Sequence, residues 1–108
     1  MGIMFPEGLP NGLRNSTPAF QELFASGSIR NMPIINIRNL LRQNGFTQTL
    51  TENRSGYLFR NAAGEEVRIM FRNGGWDVRV RNSSGNYLDE FGNVNEPSKT
   101  HGIGVVSK

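Results

Sequence analysis

Two alternating segments joined through a pair of glycines constrain this chain more than anything else in it. In the first, Val67, Ile69 and Phe71 alternate with Glu66, Arg68, Met70 and Arg72; in the second, Trp76, Val78 and Val80 alternate with Asp77, Arg79 and Arg81. A strand sends successive side chains to opposite faces, so each segment has one apolar side only if it is extended. Asn73-Gly74-Gly75 supplies the residues a tight hairpin needs. A two-residue turn drawn from them sets apolar opposite apolar, and a three-residue loop would spoil the match. The same parity brings Arg68, Arg72, Arg79 and Arg81 onto one face, where cross-strand neighbours stand about 5 Å apart.

Like charges opposed on a sheet destabilise it, and Glu66 and Asp77 offer only partial relief. One reading is a solvated outer face whose arginine stems cover apolar surface. The other is an anion-binding face. Guanidinium forks match phosphate oxygens two at a time, which suits both holding an RNA backbone and stabilising a phosphorane-like transition state.

Around this hairpin the chain divides by period. Residues 1–16 carry prolines and glycines without a sustained period and read as an irregular lead-in. Thr17-Pro18 offers an N-cap followed by a helix-starting proline, and Phe20, Leu23 and Phe24 share a helical face as far as about Ser26, with Gly27 as the stop. Ile34, Ile37, Leu40 and Leu41 form an apolar stripe in a second helix, Pro33 to Asn44, stopped by Gly45; Arg38 and Arg42 read as its solvated edge. From Phe46 the period becomes alternating, with candidate strands at Phe46–Leu50, Tyr57–Asn61, Glu65–Arg72, Trp76–Asn82, Tyr87–Asp89 and Ile103–Val106. Helices over 17–45 followed by antiparallel strands over 46–108 define an α+β domain, with two N-terminal helices packed on one face of a twisted sheet.

At 108 residues the chain suits one domain rather than two cores. Twelve basic residues against nine acidic ones give a formal charge of +3, which favours polyanionic partners. Cysteine is absent, which excludes a disulfide framework, a thiolate zinc site and thiol catalysis. No apolar run approaches the length of a membrane span. The start, Met1-Gly2-Ile3-Met4-Phe5-Pro6, has neither the basic n-region nor the long apolar stretch of a signal peptide, so export would require an address in a larger parent chain.

The only histidine, His101, lies in Pro97-Ser98-Lys99-Thr100-His101-Gly102, which reads as a loop ahead of the last strand. Imidazole exchanges protons near neutral pH, Lys99 adds a cation and Thr100 a hydroxyl, and together they suit RNA cleavage without a metal or other cofactor. A single histidine cannot build a multi-histidine metal site, and Asp77, Asp89, Glu90 and Glu96 lack a ligand spacing. No Gly-x-Ser-x-Gly elbow occurs. Among the aromatics, Tyr57 and Tyr87 are the ones free enough to stack on bases. Two other functions fit the same residues: a non-catalytic RNA- or DNA-binding module that uses the arginine face alone, and a protein-interaction or inhibitor domain that docks an acidic partner.

The stretch from about Gly56 to Gly102, with Gly-Tyr-Leu-Phe-Arg-Asn-Ala-Ala-Gly-Glu-Glu-Val-Arg-Ile, Val-Arg-Val-Arg-Asn-Ser-Ser-Gly-Asn-Tyr-Leu-Asp and Phe-Gly-Asn-Val before Thr-His-Gly, covers under half of the chain. It resembles the C-terminal toxin domains of bacterial polymorphic and contact-dependent inhibition systems grouped with barnase, EndoU, colicin-type tRNases and RelE. The resemblance implies N-terminal helices followed by a four- or five-stranded antiparallel sheet. It also implies metal-free cleavage of tRNA or other RNA, delivery into the cytoplasm of a target cell from a larger exported protein, and a cognate immunity protein. A host translation factor is a further partner to consider. On this sequence the implied catalytic roles fall on His101, Thr100, Arg68 and Arg79, and substrate contacts on Arg72, Arg81, Lys99, Tyr57 and Tyr87.

Overall fold

The computed structural model describes residues 9–51, 55–72 and 74–106. The fold is α+β. Its helices are α1 (Pro18–Glu22), α2 (Ile34–Gln43) and α3 (Pro97–Thr100), and its strands are β1 (Thr47–Leu50), β2 (Gly56–Arg60), β3 (Glu66–Arg72), β4 (Gly75–Arg81), β5 (Tyr87–Leu88) and β6 (Ile103–Val105).

The hairpin forms in the expected register. Arg72 pairs with Gly75, so two residues separate the strands, and Gly74 has φ 79°, a conformation glycine adopts without strain. Val67 faces Val80, Ile69 faces Val78 and Phe71 faces Trp76, while Arg68 stands directly opposite Arg79.

The sheet runs β1-β2-β3-β4-β5 with antiparallel neighbours, and a sixth strand, β6, also pairs with β4. It therefore has six strands where four or five are implied by the resemblance. β5 occupies the outer edge of β4 at Val80 and Arg81, and β6 occupies it at Trp76, Asp77 and Val78. Arg79 is the residue of β4 that falls between them.

One sheet face meets the helices. Phe59, Val67, Ile69, Val78, Val80, Leu88 and Ile103 form a single cluster with Phe20 and Leu23 near α1 and Ile34, Ile37 and Leu41 of α2. α2 lies within a residue of its expected limits, and Gly45 comes after it at φ 84°. α1 is shorter than the expected helix to Ser26. Beyond Glu22 the amides of Leu23, Phe24 and Ala25 bond three residues back rather than four, so the chain tightens into turns before Gly27. Pro97–Thr100, read as a loop, is one helical turn begun by its proline.

Residues 1–8 of the expected lead-in lie outside the described residues, and the rest of the lead-in is ordered structure. Asn11–Leu13 is a 3-10 turn with Leu13 buried, its Gly12 amide donating to the Gly92 carbonyl and its Gly12 carbonyl accepting from the buried Asn82 amide. Three residues that carry no periodic signal thereby tie this segment to the far end of the chain.

Glu65 pins α1 to the sheet. Its carboxylate is fully buried in the β2–β3 connection and accepts from the Thr17 amide at 2.9 Å, the Thr17 hydroxyl at 2.6 Å and the Asn61 side-chain amide at 2.8 Å. Thr17 in turn caps α1 by accepting from Phe20. Glu65→Ala leaves three part-buried donors without their acceptor and is expected to cost about 3 kcal/mol, against about 1 kcal/mol for Thr17→Val. Urea unfolding checks this, and equal losses for the two variants would show that Glu65 is not the pin.

Candidate active site

The face of the sheet turned away from the helices carries Arg60 on β2, Glu66, Arg68, Met70 and Arg72 on β3, Asp77, Arg79 and Arg81 on β4, and Tyr87 on β5. Five arginines against two carboxylates account for the whole +3 excess of the chain, since the other seven basic and seven acidic residues balance. The basic character is thus a property of this one surface.

Compensation on the face is uneven. Glu66 serves the margin, at 3.1 Å from Arg60 and 3.9 Å from Arg81, whose Nε also donates to the Gly85 carbonyl. Arg72 lies 4.0 Å from Asp77. Arg68 and Arg79, the opposed pair, have no carboxylate partner among the described residues. The Arg68 Nε is buried without a hydrogen-bond acceptor. The Arg79 guanidinium instead sits 5.5 Å over the Tyr87 ring.

His101 comes to this pair because β6 returns to the edge of β4. Ile103 pairs with Val78, which leaves His101 two residues upstream, beside the gap where β5 ends and β6 begins. Its ring lies 5.2 Å from that of Tyr87. A cavity of about 90 Å³ collects the result, bounded by Arg68, Arg72, Arg79, Asp77, Met70 and His101. Its size suits a tetrahedral oxyanion.

The imidazole is held from behind. Nδ1 lies 3.2 Å from the Pro97 carbonyl oxygen and 3.0 Å from the Thr100 hydroxyl. A carbonyl only accepts, so the Pro97 contact is a hydrogen bond when Nδ1 carries the proton, and in the neutral ring that tautomer leaves Nε2 with its lone pair, as a general base requires.

The structure sorts the residues singled out from sequence. Arg68, Arg72, Arg79 and His101 share the cavity, with Tyr87 beside it and Arg81 at the margin. Thr100 is fully buried, so its hydroxyl supports His101 and does not face a substrate. Lys99 is turned to the other side of His101 and lines a separate groove, because residues two positions apart around a helical turn point in nearly opposite directions. Tyr57 belongs to the other face of the sheet. It pairs with Ile69, packs against the core, and lies under the Arg38 guanidinium at 4.6 Å, so it is no base-stacking residue of this site. Arg42, also read as a solvated edge, donates from Nε and a terminal nitrogen to Gln48 of β1. Asp77, expected on this face as partial charge relief, and Met70, placed there by the same alternation as the arginines, also line the cavity.

Among the described residues no three acidic or histidine side chains come together as a metal site, and no helix is long and apolar enough to cross a membrane. No family model, curated protein or solved structure matches the chain.

The segment that delivers His101 is fastened by Glu90, which accepts from the Ser28 hydroxyl at 2.7 Å and pairs with Arg30 at 3.1 Å. The Ser28 hydrogen bond first, and then Arg30, hold the Glu90 carboxyl below its ordinary value. A depressed folded value means that the bonus is complete above the ordinary carboxylate range and disappears as pH falls through that range and below it. Unfolding measured against pH is expected to show a wild-type advantage over Glu90→Gln at neutral pH that closes in acid; an advantage that grows in acid would contradict it.

The opposed arginines set a second expectation. Replacing Arg79 with Gln removes a like-charge contact and is expected to raise stability by a few tenths of a kcal/mol at low salt. Phosphate should raise the melting temperature of the parent protein more than that of the variant, and equal rises would show that the cavity does not hold the anion.

Proposed function

We propose that this domain is a metal-independent endoribonuclease. One observation carries the reading: an imidazole and three guanidinium groups converge on one oxyanion-sized cavity. RNA is the substrate this set suits, because it brings its own nucleophile. His101 Nε2 takes the proton from a ribose 2′-hydroxyl, the 2′ oxygen bonds to the adjacent phosphorus, and the bond from phosphorus to the 5′ oxygen breaks. The leaving oxygen is protonated by solvent. Arg68 and Arg79, lacking carboxylate partners, stabilise the charge that develops on the phosphoryl oxygens, with Arg72 beside them. The products are a 2′,3′-cyclic phosphate and a 5′-hydroxyl.

The resemblance of residues 56–102 supports a more particular role, that of a toxin domain released from a larger exported protein. It would cleave tRNA or other RNA in the cytoplasm of a target bacterium and be neutralised by an immunity protein. The absence of cysteine suits passage through oxidising and reducing compartments.

Incubation with total RNA is expected to yield fragments bearing cyclic phosphate ends, and a 2′-deoxy substitution at the cleaved position should abolish the cut. His101→Ala should lower the rate by about 100-fold or more, and Arg68→Ala or Arg79→Ala by a similar order. Full cleavage by His101→Ala would remove the imidazole from the mechanism. Bound but intact RNA would make the arginine face a binding surface only.

A further inference from the structure

We propose that the groove on the far side of His101 is a nucleobase subsite, which receives the base of the nucleotide whose 3′-phosphate occupies the arginine cavity. This rests on the ribonuclease reading and adds where the substrate lies.

His101 and Gly102 form the wall shared by two cavities of different size and character. On one side is the arginine cavity of about 90 Å³, and on the other an open groove of about 490 Å³. A hollow of several hundred Å³ is the size that takes a small organic ligand. If Nε2 removes the 2′ proton, the ribose must lie over the imidazole with its 3′-phosphate among the arginines. The base then extends from the other side of the sugar, into the groove.

The groove has the chemistry for a base. Phe91 lines it and is 50% exposed, although it stands in one of the most firmly held turns of the molecule. The buried Asp89 carboxylate accepts from the Phe91 amide at 3.0 Å, the Asn93 amide at 2.9 Å and the Asn95 side chain at 3.1 Å, and Gly92 is bonded to Gly12. An exposed aromatic ring at a cavity wall, carried on a backbone held by these bonds, offers a stacking platform for a base. Ser98 contributes a hydroxyl with no partner among the described residues, and Asn95 keeps one amide hydrogen for a base edge. Of the two carboxylates at the groove, Glu90 is paired with Arg30, and the Asp89 oxygens already accept from amides of the turn. Lys99, which the fold turns away from the arginines, projects into this groove as a cation without a carboxylate partner among the described residues, placed for a neighbouring backbone phosphate.

Titration of the intact domain with inorganic phosphate and with each of the four ribonucleoside 3′-monophosphates, followed by amide NMR, separates the possibilities. At least one nucleotide is expected to bind about tenfold or more tightly than phosphate. It should perturb Phe91 and Ser98 in addition to the residues around Arg68 and Arg79, whereas phosphate perturbs the latter alone. Phe91→Ala should remove most of that advantage while leaving phosphate binding and melting temperature unchanged, and Phe91→Tyr should restore it. Four nucleotides that bind no better than phosphate and leave residues 91–98 undisturbed would overturn the subsite and leave the phosphate cavity standing. Nucleotides that perturb the groove while neither they nor phosphate perturb the arginines would make the groove a base-binding surface unconnected to the arginine cavity, and would overturn both the proposed placement of the substrate and the ribonuclease reading. Silence at both places would overturn both.

Discussion

The structure depends on the register between β3 and β4, set by the two-residue turn between Arg72 and Gly75. A slip of one residue would turn Val67, Ile69, Val78 and Val80 to solvent and drive arginines into the core. Each of those apolar side chains contributes about 1.5–3 kcal/mol through burial, whereas an opposed pair of like charges costs about 0.2–1 kcal/mol. Burial wins by a wide margin, so the packing of one face dictates that Arg68 and Arg79 meet on the other. Their crowding is sustained by a hydrophobic core that they do not themselves touch.

What can be read from the sequence depends on how local the cause is. The hairpin, its arginine face, α2 and the Thr17 cap each arise from residues within a few positions of one another, and periodicity reports them directly. Tyr57 escapes such a reading because Gly-Tyr-Leu-Phe-Arg has three large apolar residues in succession, so parity alone cannot say whether Tyr57 or Leu58 faces the core; pairing of Tyr57 with Ile69 decides it. Adjacency groups Lys99 and Thr100 with His101, whereas a single helical turn sends the three side chains to different places. The pin made by Glu65 joins residues 48 positions apart, a distance at which no sequence period carries information.

The position of His101 is legible only in part, for a topological reason. Nothing in the sequence of Ile103–Val105 names its partner, and a meander would have placed it next to β5 at the edge of the sheet. Instead β5 is only two residues long and leaves most of the outer edge of β4 open, and β6 fills it. A short strand thus creates the vacancy that lets the later segment return, and the return carries the imidazole to the middle of the arginine face. The asparagine and aspartate turns between Asn82 and Asn95 make this excursion definite, since their buried side chains saturate the backbone amides that strands would otherwise have used.

The distribution of counter-charge argues that the centre of the face is arranged for an anion and its margin for stability. Glu66 could neutralise two arginines, and it does so for Arg60 and Arg81, one step along the face from the opposed pair. Had solubility alone selected these arginines, compensation would be expected where the repulsion is strongest, at the directly opposed pair. There no carboxylate among the described residues makes an ion pair, the Arg68 Nε has no acceptor, and Arg79 meets an aromatic ring that also contacts the imidazole. Unpaired guanidinium groups held in place by a rigid sheet need little rearrangement to meet a phosphate, which is the condition under which electrostatic stabilisation of a transition state is most effective. If the proposed function holds, stability given up at that one pair is the feature that would separate the site from a merely basic surface.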